Sequence, residues 1–300
     1  MANLSIGTRG SELAVRQTDL IVSRLESQEH HVTVVRVETH GDRVLDRALN
    51  QLGNQGVFTT ELEQRLVAGT IDLAVHSLKD LPTQLAPGLA IGAYALPEDR
   101  RDVLLAGDYT LATLPPGARV GTSSLRRTAF LRSLRPDLEV VPVRGNLQTR
   151  LRKWQELGLD GLLLAAAGVH RLGWQDKISE YLDPFAMVPA PGQGILAVEM
   201  VADRQDIAKI LAPLDDPAAR VLAQAERGVL ARLGGGCQMP LGAYATWDGE
   251  TVYLLGQAAD PAGTRLARAE ARGTASDTDR LAEEVADELR RQGALAWIQP

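Results

Sequence analysis

Cys237 is the single cysteine among 300 residues, in Leu233-Gly234-Gly235-Gly236-Cys237-Gln238-Met239-Pro240. A lone thiol closes no internal disulfide, so it is either a small apolar side chain or a reactive group. Three glycines ahead of it remove Cβ clashes, so the loop can bend sharply or be approached closely. A loop built for access hides packing volume poorly. That points to a nucleophile or to an anchor for something covalently attached. A thiol hydrolase would need a histidine base, and none of the five histidines stands in a recognisable partner motif. His30, His31, His40 and Cys237 lack metal-ligand spacing, and no metal is expected. Gly234-Gly235-Gly236 lacks the Lys-Ser/Thr of a phosphate loop.

Arginine carries the second chemical signal. Residues 119–171 hold nine arginines and Lys153 against Asp137, Glu139, Glu156 and Asp160, a net +6 within a chain of net −6. Only Lys79, Lys153, Lys177 and Lys209 of the 32 basic residues are lysines. The guanidinium is a planar fork that binds carboxylates through paired hydrogen bonds and keeps its charge when buried. Clustering at Arg126-Arg127, Arg144, Arg150 and Arg171 therefore points to a ligand with several carboxylates or phosphates. Asp80, beside Lys79 in His76-Ser77-Leu78-Lys79-Asp80-Leu81-Pro82, is a lone carboxylate among cations. It reads either as an ion-pair or turn residue or as a general acid/base. Nearby cations would stabilise its anion and burial would oppose that. His76, in an apolar strand, reads as a buried, satisfied histidine.

The elements that must position these groups alternate along the chain. Strands are expected at Leu4–Thr8, His31–Thr39, Ile71–His76, Ala118–Gly121, Glu139–Val143, Gly161–Ala166 and Ile195–Val201. Helices are expected at Ser11–Ser27, Thr59–Ala68, Ser124–Leu134, Asn146–Leu157 and Asp216–Leu233. Such alternation implies parallel or mixed sheets covered by helices on both faces. Antiparallel strands Leu241–Trp247, Thr251–Gln257 and Arg265–Gly273, with a helix at Asp277–Gln292, read as a separate small α+β domain. Seams are expected near Pro97–Asp102 and Met187–Gly194. In open α/β sheets ligands lie beyond the carboxyl ends of strands, where helix N-termini favour anions. Thr8–Ser11, His76–Pro82, Gly121–Arg127, Val143–Leu147 and Ala166–Arg171 all fall at such ends.

Composition narrows the class. The chain is 45% hydrophobic and 23% charged, as ordinary globular proteins are. It has no run of eighteen apolar residues, and its N-terminus lacks an export pattern. With one cysteine, a cytoplasmic setting is expected. The net negative charge argues against nucleic-acid binding.

Five motifs occur together and in order: His76–Pro82, Gly121-Thr122-Ser123-Ser124-Leu125-Arg126-Arg127, Arg144-Gly145-Asn146, Pro191-Gly192-Gln193-Gly194 and Gly235-Gly236-Cys237-Gln238. In this arrangement the chain resembles the hydroxymethylbilane synthase family, also called porphobilinogen deaminases, from Thr8 to about Pro240. The resemblance implies an α/β fold of three domains. The first two resemble type II periplasmic binding protein domains with mixed sheets, and the third is a small α+β domain with an antiparallel sheet. The expected bounds are 1–97 plus 195–215, then 98–194, then 216–300. The implied activity is a stepwise deaminative condensation of four porphobilinogen molecules into a linear tetrapyrrole.

The resemblance also implies roles. Cys237 would carry a dipyrromethane cofactor through a thioether, and Asp80 would be the catalytic acid/base. Lys79, Ser124, Arg126, Arg127 and Gly145 are expected to bind the cofactor. Arg9, Ser11, Phe58, Arg144, Arg150, Arg171 and Gln193 are expected to bind substrate. The protein is expected to act as a monomer on a small-molecule substrate, with neither nucleic acid nor membrane as partner. Two departures stand out. Gln55 and Thr60 are neutral where many relatives carry lysines on a mobile loop, so weaker loop closure is expected. Glu12 puts a carboxylate beside Arg9, which fits if it points outward from the first helical turn. The rival reading is a non-enzymatic carboxylate-binding protein of the same fold, which would have no use for a thiol on a glycine loop.

Overall fold

The computed structural model describes residues 1–39, 59–234 and 239–298. The chain forms two compact units, one of residues 1–98 with 195–220 and one of residues 99–194 with 221–300.

In the first unit β1 (Asn3–Arg9) pairs in parallel with β2 (His31–Val37) and β3 (Leu73–Ser77). β10 (Leu196–Val201) runs antiparallel between β3 and β4 (Leu89–Ala95), giving a mixed sheet of order β2-β1-β3-β10-β4. α1 (Glu12–Glu26) starts where Ser11 accepts a hydrogen bond from the Ala14 N–H at 3.3 Å, the expected side-chain cap. Ile21 and Leu25 of α1, with Ile207 and Leu211 of α6 (Gln205–Leu211), cover one face through Ile6, Val75 and Val198. α2 (Thr60–Val67) covers the other, setting Leu62 and Leu66 against Ile71, Ala74 and Leu89.

The second unit holds a mixed sheet of order β7-β6-β8-β5-β9. β6 (Arg119–Gly121), β7 (Glu139–Val141) and β8 (Gly161–Ala165) are parallel, and β5 (Asp102–Leu105) runs antiparallel to β8 and β9 (Glu180–Tyr181). α3 (Leu125–Leu134) packs Phe130 and Leu131 on one face. On the other face, Leu147, Leu151 and Trp154 of α4 (Leu147–Glu156) lie against Val143, Leu162 and Leu164. α5 (Ala166–Arg171) follows β8 directly.

The remaining sheet is antiparallel: β11 (Leu241–Trp247), β12 (Val252–Ala259) and β13 (Leu266–Gly273). α7 (Pro217–Arg232) and α8 (Thr278–Arg291) bury Val229, Leu254, Val285 and Leu289 against it. Leu255 and Ala259 of β12 join the core of Leu104, Phe130 and Val188, so this sheet shares a hydrophobic interior with the second mixed sheet. Gly242 marks the closest approach: a Cβ there would meet the Val188 carbonyl at 2.5 Å. Among the described residues no helix is long and apolar enough to cross a membrane.

Candidate active site

In the first unit, the parallel pairing of β1 with β3 brings Arg9 and Ser11 to the same sheet edge as Lys79 and Asp80. β3 ends in a single 3₁₀ turn, Leu78–Asp80, closed by the Leu81 N–H donating to the Leu78 carbonyl at 3.1 Å. Arg9, Ser11, Lys79 and Asp80 are all half-buried. The N-terminus of fifteen-residue α1 lies at that edge, a setting that favours anions. Glu12 is exposed on the first turn of α1.

In the second unit, parallel β7, β6 and β8 place three turns side by side. After β6, Ser124 caps α3 by accepting from the Arg127 N–H at 3.4 Å. Its neighbour Ser123 buries a hydroxyl that has no hydrogen-bond partner among the described residues. After β7, Asn146 caps α4 by accepting from the Thr149 N–H at 2.9 Å. Gly145 has φ +115°, and a Cβ there would sit 2.6 Å from Thr149 Cγ2. Only glycine supports this turn, whose carbonyl accepts from Arg150 Nε at 2.8 Å. Arg144 and Arg150 are half-buried beside it. After β8, Arg171 Nη2 donates to the Gly194 carbonyl at 2.7 Å.

Arg126 and Arg127 lie deeper, 4% and 5% exposed. Their forks converge on the fully buried Asp102: Arg126 Nη1 reaches Oδ2 at 2.6 Å, and Arg127 Nη2 reaches Oδ1 at 2.7 Å. Arg126 Nη1 also donates to the Val188 carbonyl at 2.7 Å, and Arg127 Nη1 to that of Leu163 at 3.2 Å. Gln193 Nε2 completes the cluster, donating to Asp102 Oδ1 at 2.9 Å and to the Arg100 carbonyl at 2.8 Å. Burial would raise the Asp102 carboxyl, but the two guanidiniums outweigh it and hold the group well below the usual carboxylate range. Two guanidiniums against one carboxylate leave a surplus positive charge under the β6–α3 turn.

A second buried network supports the 189–194 segment. Glu226 of α7, 1% exposed, takes Arg100 Nη1 at 2.8 Å, the Gly192 N–H at 2.8 Å and the Ala245 N–H at 2.9 Å. One carboxylate thus fixes Arg100, the Gly192–Gln193 turn and β11. Asp102 and Glu226 are the groups that sequence reasoning missed. Each is an unremarkable acid in the chain, and its partners lie 19 to 126 residues away.

Cys237 and Phe58 lie outside the described residues. The ends flanking the cysteine loop are anchored: Leu233 is 1% exposed, and Met239 packs against the same apolar cluster. Among the described residues no group of three or more His, Cys, Asp or Glu is arranged to hold a metal.

Each edge presents cations, hydroxyls and a helix N-terminus, and in the first unit the half-buried carboxylate Asp80 stands beside Lys79. Each edge belongs to a mixed sheet of an α/β protein, and the donors on each suit anionic groups. The family model described as "Porphobilinogen deaminase, dipyromethane cofactor binding domain" matches residues 4–209, and "Porphobilinogen deaminase, C-terminal domain" matches 221–291. The chain belongs to the porphobilinogen deaminase family. It is 49% identical over 298 residues to the porphobilinogen deaminase of Roseiflexus sp. (strain RS-1), covering 98% of each chain. It is 45% identical over 301 residues to that of Syntrophomonas wolfei subsp. wolfei, covering 99% of this chain and 98% of that one. Among solved structures it is similar to a putative methionine-binding lipoprotein from Bacillus subtilis, with 10% identity, 71% and 89% coverage and a TM-score of 0.44. The periplasmic aliphatic sulphonate binding protein SsuA from Escherichia coli is similar at 15% identity, 73% and 67% coverage and a TM-score of 0.41.

The residues present fit a dipyrromethane bearing acetate and propionate side chains. The donor set of the second unit is made of guanidiniums and hydroxyls, and the buried, unpartnered Ser123 hydroxyl is a donor still available to a carboxylate.

Proposed function

We propose that this chain is a hydroxymethylbilane synthase that joins four porphobilinogen molecules head to tail with release of four ammonia molecules. In each step the bond between the aminomethyl carbon and its nitrogen breaks, and the amine leaves with a proton. The methylene carbon left behind then bonds to the free ring carbon of the terminal pyrrole on the growing chain, which loses a proton, and one water per tetrapyrrole supplies the oxygen of the terminal hydroxymethyl group. Cys237 would hold the dipyrromethane, which when bound would supply the pyrrole end from which the chain grows. Asp80 supplies the proton to the leaving amine, and its carboxylate balances the cationic methylene that remains and accepts from the pyrrole N–H. Arg9 and Ser11 at the same edge hold substrate carboxylates, and Lys79 those of the cofactor. Ser124, Arg126, Arg127 and Gly145 line the cofactor side. Arg144, Arg150, Arg171, Gln193 and Phe58 serve substrate and the lengthening chain.

The observation that carries this reading is the shared edge: Asp80, a half-buried carboxylate, stands with half-buried Arg9 and Lys79 where parallel β1 and β3 end. The net charge of −6 leaves no general attraction for nucleic acid. The enzyme works as a cytoplasmic monomer of three domains, bounded at residues 1–97 with 195–215, 98–194 and 216–300. The test is ammonia release and tetrapyrrole formation from porphobilinogen. Asp80→Asn, which keeps the shape but cannot donate a carboxyl proton, is expected to lose roughly 10²–10⁴-fold in turnover. Binding of porphobilinogen without ammonia release by the native protein would favour the rival, a non-enzymatic carboxylate-binding protein.

A further inference from the structure

We propose that Glu199 is a positioning residue for the chemistry at Asp80, acting through His76. The proposal rests on the reading of Asp80 as the acid/base. β3 and β10 pair with His76 opposite Ala197 and Ala74 opposite Glu199. His76 and Glu199 are therefore diagonal neighbours on one face of the sheet. Both are buried, at 5% and 0% exposure, with His76 Nε2 3.1 Å from Glu199 Oε2. The ring is out of line with the carboxylate, so neither Nε2 nor the Glu199 oxygens has an aligned hydrogen bond among the described residues. The imidazole expected to be satisfied is buried but incompletely so.

Glu63 of α2 faces the pair. Its own burial pushes its carboxyl up; Thr59 opposes this, the nearby charge of Glu199 adds to it, and His76 opposes it. Two titratable side chains are thus enclosed between α2 and the sheet, with half-buried Glu63 beside them. Enclosing charged groups in a core is expensive, and apolar residues of similar size are often as stable or more so. A role beyond stability accounts for their presence in β3 and β10, whose other residues are mostly Val, Leu and Ala.

The place of the pair supplies that role. Successive strand residues face opposite sides. His76 lies 3.1 Å from the Glu199 carboxylate on one face, and Ser77 is held on the other by buried Gln17 of α1, whose Nε2 donates to Ser77 Oγ at 2.9 Å. The Leu78 N–H then donates to the Ile195 carbonyl at 3.0 Å. Only Leu78 and Lys79 separate the clamped end of β3 from the reacting carboxyl. Asp80 has no long element of its own to aim it, so the last two residues of β3 set its direction. Misplacement of a reacting group by about 1 Å can cost about 10²-fold in rate.

The experiment measures steady-state kinetics and intact mass on holoenzyme variants. Glu199→Gln keeps the shape and removes the charge. The expected result is cofactor-loaded protein with kcat lowered roughly 10- to 100-fold and KM within about twofold of wild type. His76→Gln should behave alike, and the double variant should be no slower than the slower single, because both act through one contact. Added to Asp80→Asn, Glu199→Gln should cost nothing more. A slow Asp80→Asn with a fast Glu199→Gln overturns the positioning role alone. A fast Asp80→Asn removes the acid/base reading, and the proposal with it. Loss of cofactor loading with parallel change in kcat and KM makes the pair merely structural and also overturns it. If Glu199→Gln does not fold, the same outcomes are read from His76→Gln.

Discussion

Asp102 Oδ2 lies 2.6 Å from Arg126 Nη1, with the carboxylate fully buried and the arginine 4% exposed. Arg127 shares the same carboxylate from the adjacent helical position. The pair anchors the start of α3 to the interior strand β5, so the turn bearing Ser123 and Ser124 is held from below by charge.

Removing Asp102 leaves two buried guanidiniums without their anion. Breaking one side of a buried pair typically costs about 3–5 kcal/mol, and Asp102→Asn is expected to lose that order of stability in urea unfolding at neutral pH. The sign with pH follows from the depressed carboxyl. Its stabilisation is present above the unfolded-state value of about 4 and is lost as pH falls through the lower folded-state value. The gap between wild type and Asp102→Asn should therefore narrow below about pH 4. A gap that stays constant down to acid unfolding would contradict the assignment.

Glu226 behaves oppositely. Burial pushes its carboxyl up despite Arg100 and two backbone N–H donors. A raised folded-state value gives stability that is present at low pH and lost as pH rises through it. Glu226→Gln, which keeps an acceptor, should flatten that dependence. Glu226→Ala strands Arg100 and should cost about 3–5 kcal/mol in chemical denaturation. Equal effects of the two substitutions would mean the hydrogen bonds to Gly192 and Ala245 contribute little.

Gly145→Ala tests the turn that presents Arg144 and Arg150. With φ at +115° and Thr149 only 2.6 Å from the added Cβ, strain of about 1–3 kcal/mol is expected. Turnover should fall more than the melting temperature alone explains, because Arg150 is tied to the Gly145 carbonyl. Wild-type kinetics in Gly145→Ala would remove this turn from the site.

The local signals in the sequence were strong where a cap or a strand end encoded the geometry. Ser11, Ser124 and Asn146 each cap the helix they were expected to open. Strands β4 and β5 were not legible. β5 is buried at all four positions, so it shows no alternation to read. Arginine clustering was visible, but not its division of labour. Arg126 and Arg127 first engage Asp102, a residue that in sequence is only part of a charged seam. That pairing depends on β5 lying antiparallel to β8, a non-local fact. His76 was read as buried and is, but its partner Glu199 sits 123 positions on and carries no local mark.

Arg144 separates elongation from cofactor loading. Arg144→Lys keeps the charge and loses the fork. A lost charged hydrogen bond of about 1.5–3 kcal/mol corresponds to roughly tenfold or more in affinity. The variant should load cofactor normally and stall, accumulating one-, two- or three-substrate adducts by mass. Arg126→Lys or Arg127→Lys should instead yield apo-protein, since each loses a buried fork on Asp102 as well. Normal loading and product release in all three would assign these arginines to the scaffold alone.

The intact mass of the protein, expressed in cells that make porphobilinogen, tests the central claim most directly. The account predicts the mass of the chain plus two linked pyrrole units, with the addition absent from Cys237→Ala. A wild-type mass equal to that of the bare sequence would contradict it.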